Sequence, residues 1–386
     1  MVRAPLFART ALGLALALGV AAGGLSAPVM AKEKEKKAEA PKLAPSKAFI
    51  APYTAAKAAL DAASKRADVT EARNKVTAAE NAYRSANGKK ARDESRAAYD
   101  ASVAALSALL APEIDLSDKA FAAATTPDDK FIAGQLGFSL GQLAFDKLLQ
   151  RRGLQSMVDS GKLPPGDVAK FNYYIGGLSY DLKEYPAART ALQAAIAGGY
   201  TEGNIDGTLA DAYFNDNLPA DGLKVLQAGI EKRGAAAPED WIRKGIVVAY
   251  KSKMPDQAVG FSTKLVQLYP TQENWSLAIA VVRDISKFQN QENIDLMRLM
   301  LRTNSWSEAR DYFEYIQAAD PRRLPGESLK VVNLGIASGK LQASDPSVAD
   351  AKSIAAGRIT ADKASLVGLE RDARAPAATA ATAMAA

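Results

Sequence analysis

The 386-residue chain contains no cysteine and no histidine. Without cysteine no disulfide can form, so the fold rests on packing, and no lipid can be attached at a thiol. Without histidine, Ser-His-Asp and Cys-His nucleophilic sites and His-ligated metal centres are excluded. General acid–base work would fall to carboxylates, Lys or Tyr. Long apolar runs are also missing. The run from Ala11 to Leu25 has 15 residues, whereas a membrane-crossing helix takes about 20. No Gly-rich phosphate loop and no metal-ligand spacing occurs, so no cofactor is expected. Nor is one sign of charge much in excess. Lys and Arg exceed Asp and Glu by 49 to 43, and no element carries the clustered basic residues of a nucleic-acid footprint.

The start of the chain has its own pattern. Arg3 and Arg9 precede the apolar run, and Ala27-Pro-Val-Met-Ala31 closes it with small residues. This order reads as an export signal over residues 1–31, cleaved after Ala31, with an uncleaved anchor as the alternative. Cleavage would remove Arg3 and Arg9 and no acid, taking the net charge from +6 to +4. The mature protein is then expected to be periplasmic or secreted, with no stable membrane insertion and no nucleic-acid partner. Residues 32–47 open with Lys-Glu-Lys-Glu-Lys-Lys and have no apolar face to bury, which predicts a charged linker. A tether to anionic polymer or lipid is the functional alternative.

Residues 48–111 include 22 alanines. Alanine is the best helix former because its side chain loses no rotamer freedom. Tyr53, Ala56, Leu60 and Ala63 recur at helical spacing, as do Tyr99, Val103, Leu106 and Leu110. The pattern predicts a hairpin of two thin-faced helices split at Asn87-Gly88, within an Ala-rich helical region over 48–126. A further helical pattern, Phe131, Leu136, Leu140, Leu143, Leu148 and Leu154, runs to Gly161-Lys-Leu-Pro-Pro-Gly166. Asp128 and Asp129 follow Thr126-Pro127 and read as a helix start favoured by the helix dipole.

From residue 171 the sequence repeats. Ala188, Gly222 and Ala258 stand 34 and 36 residues apart, each after a polar turn and a proline, Pro186, Pro219 and Pro255. Proline suits the start of a helix, where its missing N–H had no partner anyway. The small residues mark the place where two helices of one unit cross closely. Leu192, Leu226 and Leu265 follow on the inward face, and Gly198-Gly199, Gly234 and Pro270 close the units. Residues 274–282 with 294–301, and 307–319 with 329–336, read as two more pairs.

This pattern resembles the tetratricopeptide repeat, a helical hairpin of about 34 residues that stacks into a superhelix. Gly176 stands at the family's glycine in the first helix, while Ala210 and Ile246 replace it in the next two units. The whole chain resembles periplasmic tetratricopeptide-repeat proteins of alphaproteobacteria, the sphingomonads in particular. The resemblance implies an all-α fold, an α-α superhelix of hairpins preceded by the Ala-rich segment. The repeats proper would cover 127–270 and degenerate hairpins 271–366. The Ala-rich tail over 367–386 reads as a truncated repeat or a disordered end, and an uncapped repeat end invites weak self-association.

In that family the first helix of each hairpin lines a groove. By position the groove would receive Lys170, Tyr173 and Tyr180, then Asn204, Asp211 and Asn215, then Arg243, Tyr250 and Lys251. Tyr213 and Phe214 read as core. The family's chaperone-tail clamp positions hold Tyr173, Gly177, Thr208, Asp240 and Lys244. Only Lys244 is similar to the clamp, which argues against capture of an acidic tail by that route. Asn274-Trp-Ser276 fits a glycosylation sequon, which also arises by chance. The implied function is a non-catalytic scaffold or adaptor for a protein partner. The alternatives are a carboxylate-based hydrolase of wall glycan, which needs two facing acids, and a binder of polymer or membrane surfaces.

Overall fold

The computed structural model describes residues 43–286, 288–306 and 308–374. The expected leader at 1–31, the linker up to residue 42 and the tail from 375 lie outside the described residues. Seventeen α-helices and no strand occur among those described, so the chain is all-α and built of helical hairpins. It divides into two compact units, Met1–Val225 and Leu226–Ala386.

The first unit opens with α1 (Lys47–Ala63), α2 (Ala67–Ser85), α3 (Lys89–Leu109) and α4 (Ala111–Ala123). The expectation of two helices here needs correcting. α2 and α3 do form the hairpin around Gly88, at φ 84°, but α1 is separate and packs on α4. The break falls at Ser64–Arg66. Arg66 leaves helical geometry there, and its guanidinium binds Asp68 at 2.8 Å and the largely buried Glu113 at 3.1 Å. A continuous helix would carry Arg66 away from both.

Next come α5 (Pro127–Ala144), α6 (Lys147–Asp159), α7 (Pro165–Asp181), α8 (Tyr185–Ala197), α9 (Ile205–Asn215) and α10 (Pro219–Arg233), within which the division falls. Asp129 begins α5 as expected. Its carboxylate and Thr126 exchange capping bonds of 3.1 Å with each other's backbone amides. The pair Asp128 and Asp129 does more than start a helix, since each also accepts an amide from the segment before α1, Ala44 at 2.9 Å and Ser46 at 2.8 Å.

The small-residue register extends to the first hairpin of the 127–270 span, before residue 171. Gly153 lies 35 residues before Ala188, buried against Gly134 and Phe138 of α5. The small-residue series is therefore Gly153, Ala188, Gly222 and Ala258, one member per hairpin. Twelve residues before each stands a buried position of the first helix, Gly141, Gly176, Ala210 and Ile246.

The corners repeat as well. Phe145, Lys183, Asn217 and Lys253 all have positive φ, between 55° and 63°. The amide after each bonds back five residues, Asp146 to Gly141, Glu184 to Ser179, Leu218 to Tyr213 and Met254 to Ala249, at 2.9–3.0 Å. That is the Schellman closure of a helix C-terminus. The first corner has no proline after it. Asp146 starts α6 instead, accepting the amide of Leu149 at 2.9 Å.

Ala188 is fully buried. Ala188→Leu should destabilise the protein by about 1–3 kcal/mol, because three extra carbons must enter a filled crossing. An unchanged thermal midpoint would refute that packing.

The second unit continues with α11 (Glu239–Lys251), α12 (Pro255–Leu268), α13 (Gln272–Ile285), α14 (Asn290–Thr303), α15 (Ala309–Ala319), α16 (Pro325–Ala337) and α17 (Pro346–Ala373). Its core gathers Ile294, Met297, Trp306, Tyr315, Val331 and neighbours. Tyr315 is the largest fully buried side chain. Its hydroxyl donates to Glu327 at 2.9 Å, and Arg298 grips the same carboxylate with two nitrogens at 2.7 and 3.1 Å. Burial pushes the Tyr315 hydroxyl up to about 12, with the carboxylate adding to it.

Candidate functional site

The nine residues expected in a groove fall in both units. In the first, Lys170 and Tyr173 lie on α7. Lys170 is half-buried, but Tyr173 is only 6 % exposed and belongs to the core with Leu192, Ile205 and Leu209. Its ring stacks on Tyr200 with centroids 4.6 Å apart. Burial pushes its hydroxyl up, opposed by a hydrogen bond from the backbone amide of Asn204. Tyr173 is thus a core residue and no groove contact. Its place at the crossing of α7 with α8 and α9 buries the whole ring.

Tyr180, Asp211 and Asn215 do come together. The amide nitrogen of Asn215 donates to the Tyr180 hydroxyl at 3.1 Å and to the Asp211 carbonyl at 2.8 Å. The Tyr180 hydroxyl is pushed up to about 12 by burial and by the charge of Asp211. Asn204 lies exposed just before α9.

In the second unit Arg243 is held from three sides. Its guanidinium donates to Glu239 at 2.8 Å, to Glu273 at 3.2 Å and to the side-chain oxygen of Asn274. Asn274 is fully buried, and its amide donates to Glu239 at 3.0 Å and to the Tyr269 carbonyl at 2.9 Å. The sequon at Asn274 is therefore a structural position with no nitrogen open to glycosylation. The Arg243 guanidinium and the Asn274 amide hold Glu239 below the usual carboxylate range. Tyr250 donates its hydroxyl to Asp284 of α13, which raises its value.

A rule joins these contacts. Lys147 pairs with Asp181 at 2.6 Å, Asn215 with Tyr180, Tyr250 with Asp284 and Asn274 with Glu239, at sequence separations of 34, 35, 34 and 35. Each bond spans one repeat and ties a hairpin to the next. Polar side chains at these positions are spent on stacking.

The face that stays open lies on α11. Val247 is 49 % and Tyr250 46 % exposed, one turn apart, with Lys251 beside them. Tyr250 and Lys251 border a depression of about 540 Å³ that Lys253, Met254, Pro255 and Ile285 also line. Sequence reading named Tyr250 and Lys251 and missed the rest. A signal existed: the places equivalent to Val247 hold Gln142, Gly177 and Asp211, so the α11 hairpin puts a valine where the other three have a small or polar residue. A second hollow of about 330 Å³ between α10 and α12 is lined by Ile230, Gly260 and Phe261 together with Glu231, Asp256 and Lys264.

Among the described residues no group of three acidic side chains is placed to hold a metal ion, and no helix is long and apolar enough to cross a membrane. Every carboxylate with a resolved shift is shifted down. No protein-family model matches the chain, and no curated protein matches it.

Proposed function

We propose that the chain is a tetratricopeptide-type scaffold or adaptor that holds a protein partner without catalysis, on the α11 face of its second unit. The observation carrying this reading is the exposed Tyr250, one turn from the exposed Val247, at the edge of a depression also lined by Met254, Pro255 and Ile285. An exposed apolar patch next to an aromatic anchor is the usual core of a protein contact. Lys251 and Lys253 on the rim favour a segment with apolar side chains and acidic neighbours.

The export pattern at 1–31 assigns the encounter to the periplasm or to secreted fluid. The exported chain, immobilised and exposed to a periplasmic extract, should retain a discrete partner identifiable by mass spectrometry. Val247→Asp should lower that retention about tenfold, since one buried apolar contact of about 1.4 kcal/mol is lost, while circular dichroism stays helical. Equal retention by the variant, or none by the parent chain, would defeat the reading.

A further inference from the structure

Helix α17 spans 28 residues, yet its buried side chains are Val348, Ala351 and Ala355, all in its first ten. The part from 356 to 373, about 27 Å at 1.5 Å per residue, has no buried side chain. Leu366 is 58 % exposed. An isolated helix of this length is marginal in water. Gly357 and Gly368, which face open space, weaken it further. A partner along this stretch would account for its being helical.

The sequence here is patterned for a particular partner. Ile359, Asp362, Leu366, Leu369 and Ala373 recur at alternating steps of three and four, the seam of a two-stranded coil. The residues flanking the seam decide the orientation. In a parallel pair of identical helices Asp362 would face Asp362, and Lys363 would face Arg358 of the second copy, both like-charge contacts. In an antiparallel pair with Leu366 level with Leu369 of the other copy, Asp362 lies level with Ala373. Lys363 then flanks Glu370 of the second copy, and the symmetry makes that bridge twice. Lys363 forms no ion pair within the described residues. Glu370 bonds Arg374 of its own helix at 2.5 Å, an exposed pair that can be shared.

We propose that two copies of this chain pair antiparallel through residues 362–373 of α17, with Leu366 and Leu369 at the centre and Lys363–Glu370 bridges on both sides. The contact is short, so the dimer is weak and sensitive to salt. It involves none of the residues of the partner site, and it is measured on the full chain alone.

Sedimentation equilibrium over roughly 1 µM to 1 mM in low salt should show a concentration-dependent monomer–dimer equilibrium. Leu366→Lys should abolish it. Lys363→Glu and Glu370→Lys should each weaken it about tenfold, since two attractions become two repulsions. An equimolar mixture of those two variants should recover the parent affinity as a heterodimer. Val367→Lys, outside the seam, should leave dimerisation unchanged. A chain that stays monomeric throughout, single reversals without effect, or a mixture that fails to recover would each overturn the proposal.

Discussion

Gly153→Ala should lower the stability of the protein by about 2–3 kcal/mol, a fall of roughly 5–10 °C in thermal midpoint. Helix propensity argues the opposite way, because alanine is better than glycine inside a helix by about 1 kcal/mol. Packing decides the sign. A Cβ on Gly153 would lie 2.5 Å from the Phe138 amide nitrogen, 2.7 Å from the Gly134 carbonyl and 2.9 Å from the Phe138 Cα. All three are backbone atoms of α5, so no rotamer change makes room and the helices must part. Gly134 faces the same crossing, its own Cβ falling 2.6 Å from the Gly153 carbonyl. Gly260 on α12 is the control, since nothing lies within 4 Å of its Cβ. There alanine should raise the midpoint through propensity alone. A stabilised Gly153→Ala would mean that α5 and α6 do not touch as described.

Asn274→Ala should cost about 1–3 kcal/mol, because it removes a fully buried side chain that bonds Glu239, the Tyr269 carbonyl and Arg243 at once. The same substitution should change the response to acid. Glu239 is held below its unfolded value by Arg243 and Asn274. A carboxylate depressed in the folded state stabilises at pH above its unfolded value, about 4.3, and that stabilisation is lost as pH falls through the folded value. Chemical denaturation from pH 7 down to the acid limb should therefore show a shallower loss in Asn274→Ala than in the parent chain. An identical acid limb would show that Asn274 does not support Glu239.

The hairpins from 171 to 270 were legible because each carried two independent marks, a proline after the corner and a small residue at the crossing. The hairpin of α5 and α6 lay inside the span expected for the repeats, but its register was hidden because its corner uses Asp146 as a cap where the others use proline, so the small-residue series appeared to begin at Ala188. Its small residue, Gly153, was in register all along. The break between α1 and α2 was hidden for a different reason. Alanine-rich sequence fits a helix anywhere, and the interruption comes from the distant Glu113, which local periodicity does not register.

The candidate site was legible only in part. Position in the repeat put the polar residues on the right helices, and so named Tyr250 and Lys251. It could not tell which of them meet the next hairpin. Tyr173 disappears under Tyr200 of its own hairpin, while Tyr180 is tied to Asn215 and Arg243 to Asn274, partners about one repeat away. Val247 was passed over since a lone valine at helical spacing reads as core.

Repeat-spanning bonds tie down Tyr180, Asn215, Asn274 and the Tyr250 hydroxyl, and the proposed partner site is the apolar surface they leave on α11, Val247 and the ring of Tyr250. A photo-crosslinking amino acid placed at residue 247, and separately at residue 215, tests it in periplasmic extract. The account predicts a discrete covalent adduct from position 247 and none from position 215. An adduct at 215 with none at 247 would contradict it.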